Sequence, residues 1–210
     1  MTRSSTGVLV LCALAGAMIL PAQDDPQPAY VPLTLEQNYL FSLNKVVGSG
    51  GLALVGMKAS FDQAFDHPRQ WGSGADSYAV RFASRFGRSF VRQNIAFGVR
   101  ALDGEDPRYF VSGQGGRWQR TKYAIGHTFA AHNAHGGLMP AYGLLVSDYA
   151  TPLIANQWRP NHDSATRAFG IGSLAVGISV GSSIWQEFWP DLRKKLHGHE
   201  NLPFFRHPAP

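Results

Sequence analysis

The sequence predicts an all-α fold of about five to six helices, packed through small-residue faces in one domain. Three observations carry this. Apolar residues recur at helical spacing in successive segments separated by Gly and Pro, most clearly over 77–102. Charged residues make up only 16% of the chain while glycine occurs 23 times, a composition suited to elements that approach closely. The 19 residues from Ala168 to Gln186 carry no charge and place Ser173, Gly177 and Gly181 four apart, on one face of a helix. That last segment has an alternative. Leu174, Val176, Ile178 and Val180 alternate with Ala175, Gly177, Ser179 and Gly181, as in a strand of a small outer-membrane β-barrel. The neighbouring segments lack repeated ten-residue alternation, which favours helix.

Residues 1–22 have the layout of a secretory signal peptide. Arg3 gives a basic start, Gly7 to Leu20 is apolar and uncharged, and Pro21-Ala22 places a small residue before Gln23. The run is too short for an ordinary spanning helix. The expected location is therefore the periplasm or a membrane-associated position in the cell envelope. Cys12, the only cysteine, lies inside this segment and lacks the small preceding residue of a lipobox, so the mature chain is expected to have neither a disulfide nor a thiolate metal site. About 188 residues remain, enough for one domain with its own core. The net charge of +5 falls to +4 without Arg3 and is spread along the chain. No nucleic-acid partner is expected of such an exported chain. Anionic lipid or an envelope polymer suits the basic balance better, and a protein partner or a homo-oligomer is compatible with it.

The elements follow in order. Residues 23–33 are polar and carry Pro26, Pro28 and Pro32, a flexible lead-in to a helical domain over 34–196. Thr34 and Gln37 have capping-box spacing, and Leu35, Tyr39, Leu40, Leu43 and Val46 continue a helix as far as Gly48-Ser49-Gly50-Gly51. A second helix runs from Leu52 to Phe65 and is closed by His67-Pro68. In 77–102 three properties sort onto three faces: an aromatic ridge of Tyr78, Phe82, Phe86 and Phe90, a groove of Ala79, Ala83 and Gly87, and a basic stripe of Arg81, Arg85, Arg88 and Arg92. Residues 103–116 form a loop. A fourth helix covers Arg117 to Ala131 and ends in the glycine-containing stretch 132–137. Pro140 can start the next helix, which Pro152 should kink or end. Ala168 to Gln186 is the last helix. Phe188-Trp189-Pro190-Asp191 follows it with Arg193, Lys194 and Lys195, an aromatic and basic pairing suited to a membrane interface. The His- and Pro-rich residues 197–210 read as a loose tail.

The candidate chemistry is sparse. The arginine stripe reads either as a solvated face or as a binding surface for phosphate or carboxylate groups, because four guanidiniums without an interleaved acid repel one another unless anions sit between them. Asp106, Arg108 and His127 form a weak cluster, and Glu105, Asp106 and Arg108 read more readily as a folded ion-pair network. His127, His132 and His135 could meet at a metal only across a broken helix, since residues five apart diverge by about 140° on a continuous one. They read as capping and solvated histidines, and no metal site is predicted. The two glycine-rich loops lack the lysine and strand context of phosphate cradles, so no cofactor is predicted.

Asp106-Pro107-Arg108-Tyr109-Phe110, with Trp71-x-x-Gly74-x-x-x-Tyr78 before it and Glu187-Phe188-Trp189-Pro190-Asp191 near the end, resembles a family of exported bacterial proteins with no assigned function. The likeness covers roughly residues 40–196. It carries over no active site, and Trp158-Arg159-Pro160 departs from the aromatic pair that related chains place before that proline. The expected function is a non-enzymatic, membrane-associated helical module of the envelope, structural or interacting. A hydrolase or transferase acting on lipid or cell-wall material, through Asp106, Arg108 and His127, is the alternative.

Overall fold

The computed structural model describes residues 30–160 and 163–198. The signal peptide expected at 1–22, most of the lead-in and the tail from residue 199 on lie outside them. The fold is all-α. Helices α1 (Leu35–Val47) and α2 (Ser49–Ala64) are followed by a 3-10 turn (Arg69–Trp71), α3 (Ala75–Asp103) and α4 (Arg117–Phe129). A short hairpin of β1 (Ala130–His132) and β2 (Leu138–Pro140) then leads to α5 (Tyr142–Ala155) and α6 (Ala165–Gly198). Among the described residues this antiparallel pair is the whole of the sheet structure, with Ala131 opposite Met139, so the barrel alternative is set aside.

Local chemistry explains the boundaries. The Thr34 hydroxyl accepts from the Gln37 N–H and the Gln37 side chain accepts from the Thr34 N–H, the predicted capping box. α1 and α2 meet at Gly48 in a tight junction, where a Cβ at Gly51 would run into the carbonyls of Lys45 and Val46. α3 ends at Gly104 in the left-handed region (φ 74°), whose N–H reaches the Arg100 carbonyl. Asn133 builds the turn of the hairpin by accepting from the N–H groups of His135 and Gly137.

Two expected helix boundaries, a start at Pro140 and an end at Gln186, are corrected. Pro140 ends β2 and α5 begins only at Tyr142, while Pro190 lies inside α6, which continues to Gly198. The helix persists across Pro190 because Arg120 ties Glu187 and Asp191, on either side of it, to one guanidinium.

α3, about 43 Å long at 1.5 Å per residue, is the spine, contacted by α1, α2 and α5; α6 packs on α5 and α4. Small residues do set the closest approaches, but not where the spacing places them. A Cβ at Gly143 would lie 3.0 Å from Arg100 Cγ and 3.1 Å from the Ala96 carbonyl oxygen, so glycine brings α5 onto α3. A Cβ at Gly172 would lie 2.5 Å from the Tyr149 ring and 3.1 Å from the Asp148 carbonyl oxygen, so glycine brings α6 onto α5. The predicted face of Ser173, Gly177 and Gly181 is exposed instead, because α6 docks through Ala168, Gly172, Ser183 and Glu187. Gly172→Val is expected to destabilise by about 1–3 kcal/mol through forced separation of α5 and α6. Chemical denaturation would measure it, and an unchanged midpoint would mean that the two helices can part at no cost.

The distribution of polarity is inverted. Among the described residues the buried hydrophobic side chains are two valines and six alanines, whereas Arg81, Asp148, Glu187, Glu105, Asp106, Arg100 and Arg120 are all buried. Large apolar side chains lie outside. On α6, Leu174, Ile178, Trp185, Trp189 and Leu192 fall within about 60° of one another and extend about 27 Å along the helix; Leu174 is 65% and Ile178 59% exposed. On α2, Leu54, Met57 and Phe61 form a second exposed stripe. The segments Leu35–Ala64 and Ala165–Lys195 are long and apolar enough to cross a membrane, and in each only 17% of the most apolar window is buried.

Candidate functional site

The loop between α3 and α4 organises the polar interior. Asp106 forms an Asx turn in which its carboxylate accepts from the Arg108 N–H at 2.9 Å and from the Arg108 guanidinium, at 2.6 Å for the shortest contact. Tyr30 donates to the same carboxylate at 2.8 Å. Burial pushes the Asp106 carboxyl up, but the hydrogen bonds from Arg108 and Tyr30 outweigh it and hold the pKa below the usual carboxylate range. Burial, reinforced by Asp106, in turn pushes the Tyr30 hydroxyl up to about 12.

The two motifs quoted from the sequence meet in space. Glu187, fully buried on α6, accepts from Tyr109 Oη (3.0 Å), the Ser112 N–H (3.0 Å) and hydroxyl (2.9 Å), the Gly113 N–H (3.2 Å) and Arg120 Nε (2.9 Å). Arg120 also donates to Asp191 and to the Glu187 carbonyl, and lies over the Phe188 ring. Burial, reinforced by the Glu187 charge, holds the Tyr109 hydroxyl far above its ordinary pKa. This network fastens the Tyr109 loop and α4 to α6.

Beneath the loop lies a cavity of about 190 Å³. Lys45 from α1, Arg92 and Arg100 from α3, Glu105 and Arg108 from the loop, and the two histidines are its charged and titratable walls, together with Asp106. Ser179, Ser182 and Ser183 of α6 complete a polar side. Arg100 donates to the Ser42 hydroxyl at 3.1 Å, but its buried Nε has no hydrogen-bond partner and sits 3.9 Å from Glu105 Oε1. Glu105 accepts instead from the Gly143 N–H at 2.7 Å, and burial raises its pKa.

His127 stacks on Tyr123 at 3.7 Å between centroids, and His132 meets Phe110 edge-on at 4.8 Å. Burial lowers both pKa values; Asp106 partly opposes this at His132, and the Tyr123 carbonyl does so at His127. The charged groups around them are Asp106 and Arg108 from the loop and Glu187 from α6. A histidine whose folded pKa is lowered contributes stability that is present above its unfolded value of about 6.5 and is lost as pH falls through the folded pKa. The melting temperature is therefore expected to fall between about pH 7 and pH 5, and less so in a His127→Gln, His132→Gln double variant. An equally steep fall in that variant would exclude the histidines as its source.

The predicted residues fall into two groups. Asp106, Arg108 and His127 do converge, on this cavity. The arginine stripe divides. Arg81 is fully buried and donates to Asp66, Gln63 and the carbonyls of His67, Pro68 and Gly72. Arg85 forms a two-pronged pair with Asp62 at 2.5 and 2.6 Å, and Arg92 pairs with the buried Asp148 at 2.5 Å. Arg88 is half-buried between Arg85 and Arg159. Three of the four arginines thus find their anions inside the protein.

His127 and His132 line the cavity rather than solvent, whereas His135 is exposed. Lys45 and Arg100 were not singled out in sequence, although Ser42-Leu43-Asn44-Lys45 has Ser-x-x-Lys spacing, and Glu187 was quoted only within a motif, with no role of its own. Glu187 had a readable signal: it is the first charge after the long uncharged stretch of α6, and a lone carboxylate there needs a partner. Among the described residues no group of three metal-ligating side chains occurs. No protein-family model matches the chain, and no curated protein or solved structure matches it either.

Proposed function

We propose that this chain is an exported, membrane-associated helical module of the cell envelope that binds rather than transforms its ligand. The observation that carries the reading is the inverted polarity of the bundle. A water-exposed domain gains most of its stability by burying Leu, Ile, Phe and Trp. Here those side chains face outward and the interior is built from alanine and ion pairs. The arrangement suits a bilayer, where an apolar exterior costs nothing and polar groups must be satisfied within the bundle. The outward stripe of α6 is about 27 Å long, against a hydrocarbon core of about 30 Å. Trp185 and Trp189 lie side by side near its end, their rings tilted and 5.2 Å apart, followed by exposed Arg193, Lys194 and Lys195, as at an interface with anionic lipid.

Binding is favoured over catalysis because Asp106 and His127, the groups that acid-base chemistry would draw on, are already engaged. The Asp106 carboxylate is saturated by Arg108 and Tyr30, which leaves it a poor base. His127 is directed to the Tyr123 carbonyl. Among the described residues neither cavity histidine is hydrogen-bonded to a serine hydroxyl, the pairing that a nucleophile needs. Sequential extraction of native envelopes with salt, alkaline carbonate and detergent tests the placement. Release only by detergent, with a helical circular dichroism spectrum, is expected; release of a stable monomer by salt would overturn it.

A further inference from the structure

We infer that the cavity beneath the Tyr109 loop is a binding site for a phosphate-class oxyanion, held by Lys45 and Arg100. Four cations line it: Lys45, Arg92, Arg100 and Arg108. Arg108 is neutralised by Asp106 and Arg92 by Asp148, which lies behind the wall. Arg100 faces Glu105 at 3.9 Å without a hydrogen bond between them, and its Nε is a buried donor with nothing to donate to. Arg100 is 93% buried, and leaving such a donor unmatched is costly, so its orphaned N–H marks the place of an absent acceptor. Among the described residues Lys45 has no carboxylate partner, so three carboxylates face four cations and one positive charge is left over.

An oxyanion supplies what is missing. It would accept from Arg100 Nε and from the Lys45 ammonium, with the hydroxyls of Ser179, Ser182 and Ser183 on the same wall as further donors. A carboxylate offers two acceptor oxygens in one plane, whereas a phosphate offers three or four in a tetrahedron, which fits donors arriving from α1, α3 and α6 around a common space. The volume of about 190 Å³ admits a phosphate with a small substituent, so both inorganic phosphate and the headgroup of a phospholipid qualify. The inference rests on the cavity alone and does not depend on the membrane placement.

The test uses the full chain after export, purified in a neutral detergent. Thermal unfolding is followed with inorganic phosphate against chloride at equal ionic strength, and in mixed micelles containing phosphatidylglycerol against micelles of the neutral detergent alone. A rise in melting temperature with free phosphate assigns a soluble ligand, and a rise confined to phosphatidylglycerol assigns a lipid headgroup. Either supports the site provided that Lys45→Met, folded by circular dichroism, raises the half-saturating concentration at least tenfold. Arg100→Gln is expected to do the same where it folds. No shift with either anion, or a shift that folded Lys45→Met retains in full, overturns the inference.

Discussion

Glu187→Ala is expected to cost about 3–5 kcal/mol because it strands the Arg120 cation in the interior. The carboxylate accepts five hydrogen bonds from the Tyr109 loop and α4, and its side chain has no solvent exposure. Removing it leaves four further donors without an acceptor and detaches the loop that roofs the cavity. Glu187→Gln should fall between wild type and alanine, since the amide keeps the shape and one acceptor but turns an NH₂ toward groups that themselves donate. Chemical unfolding in detergent, followed by circular dichroism, would order the three chains. Equal stability of all three would mean that the network contributes nothing net.

Arg81→Met is the second large effect. The guanidinium reaches three carbonyls and two side chains of the turn between α2 and α3, so methionine fills the space but leaves those acceptors unmatched. Buried acceptors cost about 1–3 kcal/mol each when orphaned. Asp66 is half exposed and can turn to solvent, which limits the total to about 3–5 kcal/mol. Arg81→Lys should recover part of this, because an ammonium keeps the charge but not the planar fork. If lysine and methionine destabilise equally, the geometry of the fork is what matters and the charge is not; if methionine is silent, the turn does not need this anchor.

Arg81 also shows where sequence reading stopped. The helical period over 77–102 placed Arg81, Arg85, Arg88 and Arg92 on one stripe correctly, but a period says which residues share a face and not which face turns inward. Their carboxylates lie elsewhere in the fold, Asp62 and Asp148 on other helices and Asp66 in the turn after α2, and such pairing has no signature in spacing. Capping chemistry was legible at Thr34, where the signal is three residues long. The hairpin at 130–140 was not, because three-residue strands are too short for alternation to register. The small-residue face on α6 was read at the right period and the wrong contact. Gly172, one residue before Ser173 and therefore about 100° round the helix, is the position where α5 leaves no room for a Cβ. Asp106, Arg108 and His127 were read as a weak cluster, and only the fold of the loop makes them walls of one cavity.

The central claim is that the large apolar side chains outside the bundle face lipid. A nitroxide attached at Ile178→Cys, in a Cys12→Ser background reconstituted into bilayers, tests it most directly. Collision with oxygen, which concentrates in lipid, and with a water-soluble nickel chelate would be measured at the same site. The account predicts frequent oxygen collisions and few with the chelate, while a label at exposed Arg117→Cys shows the reverse. Frequent chelate collisions at residue 178 would place α6 in water and contradict it.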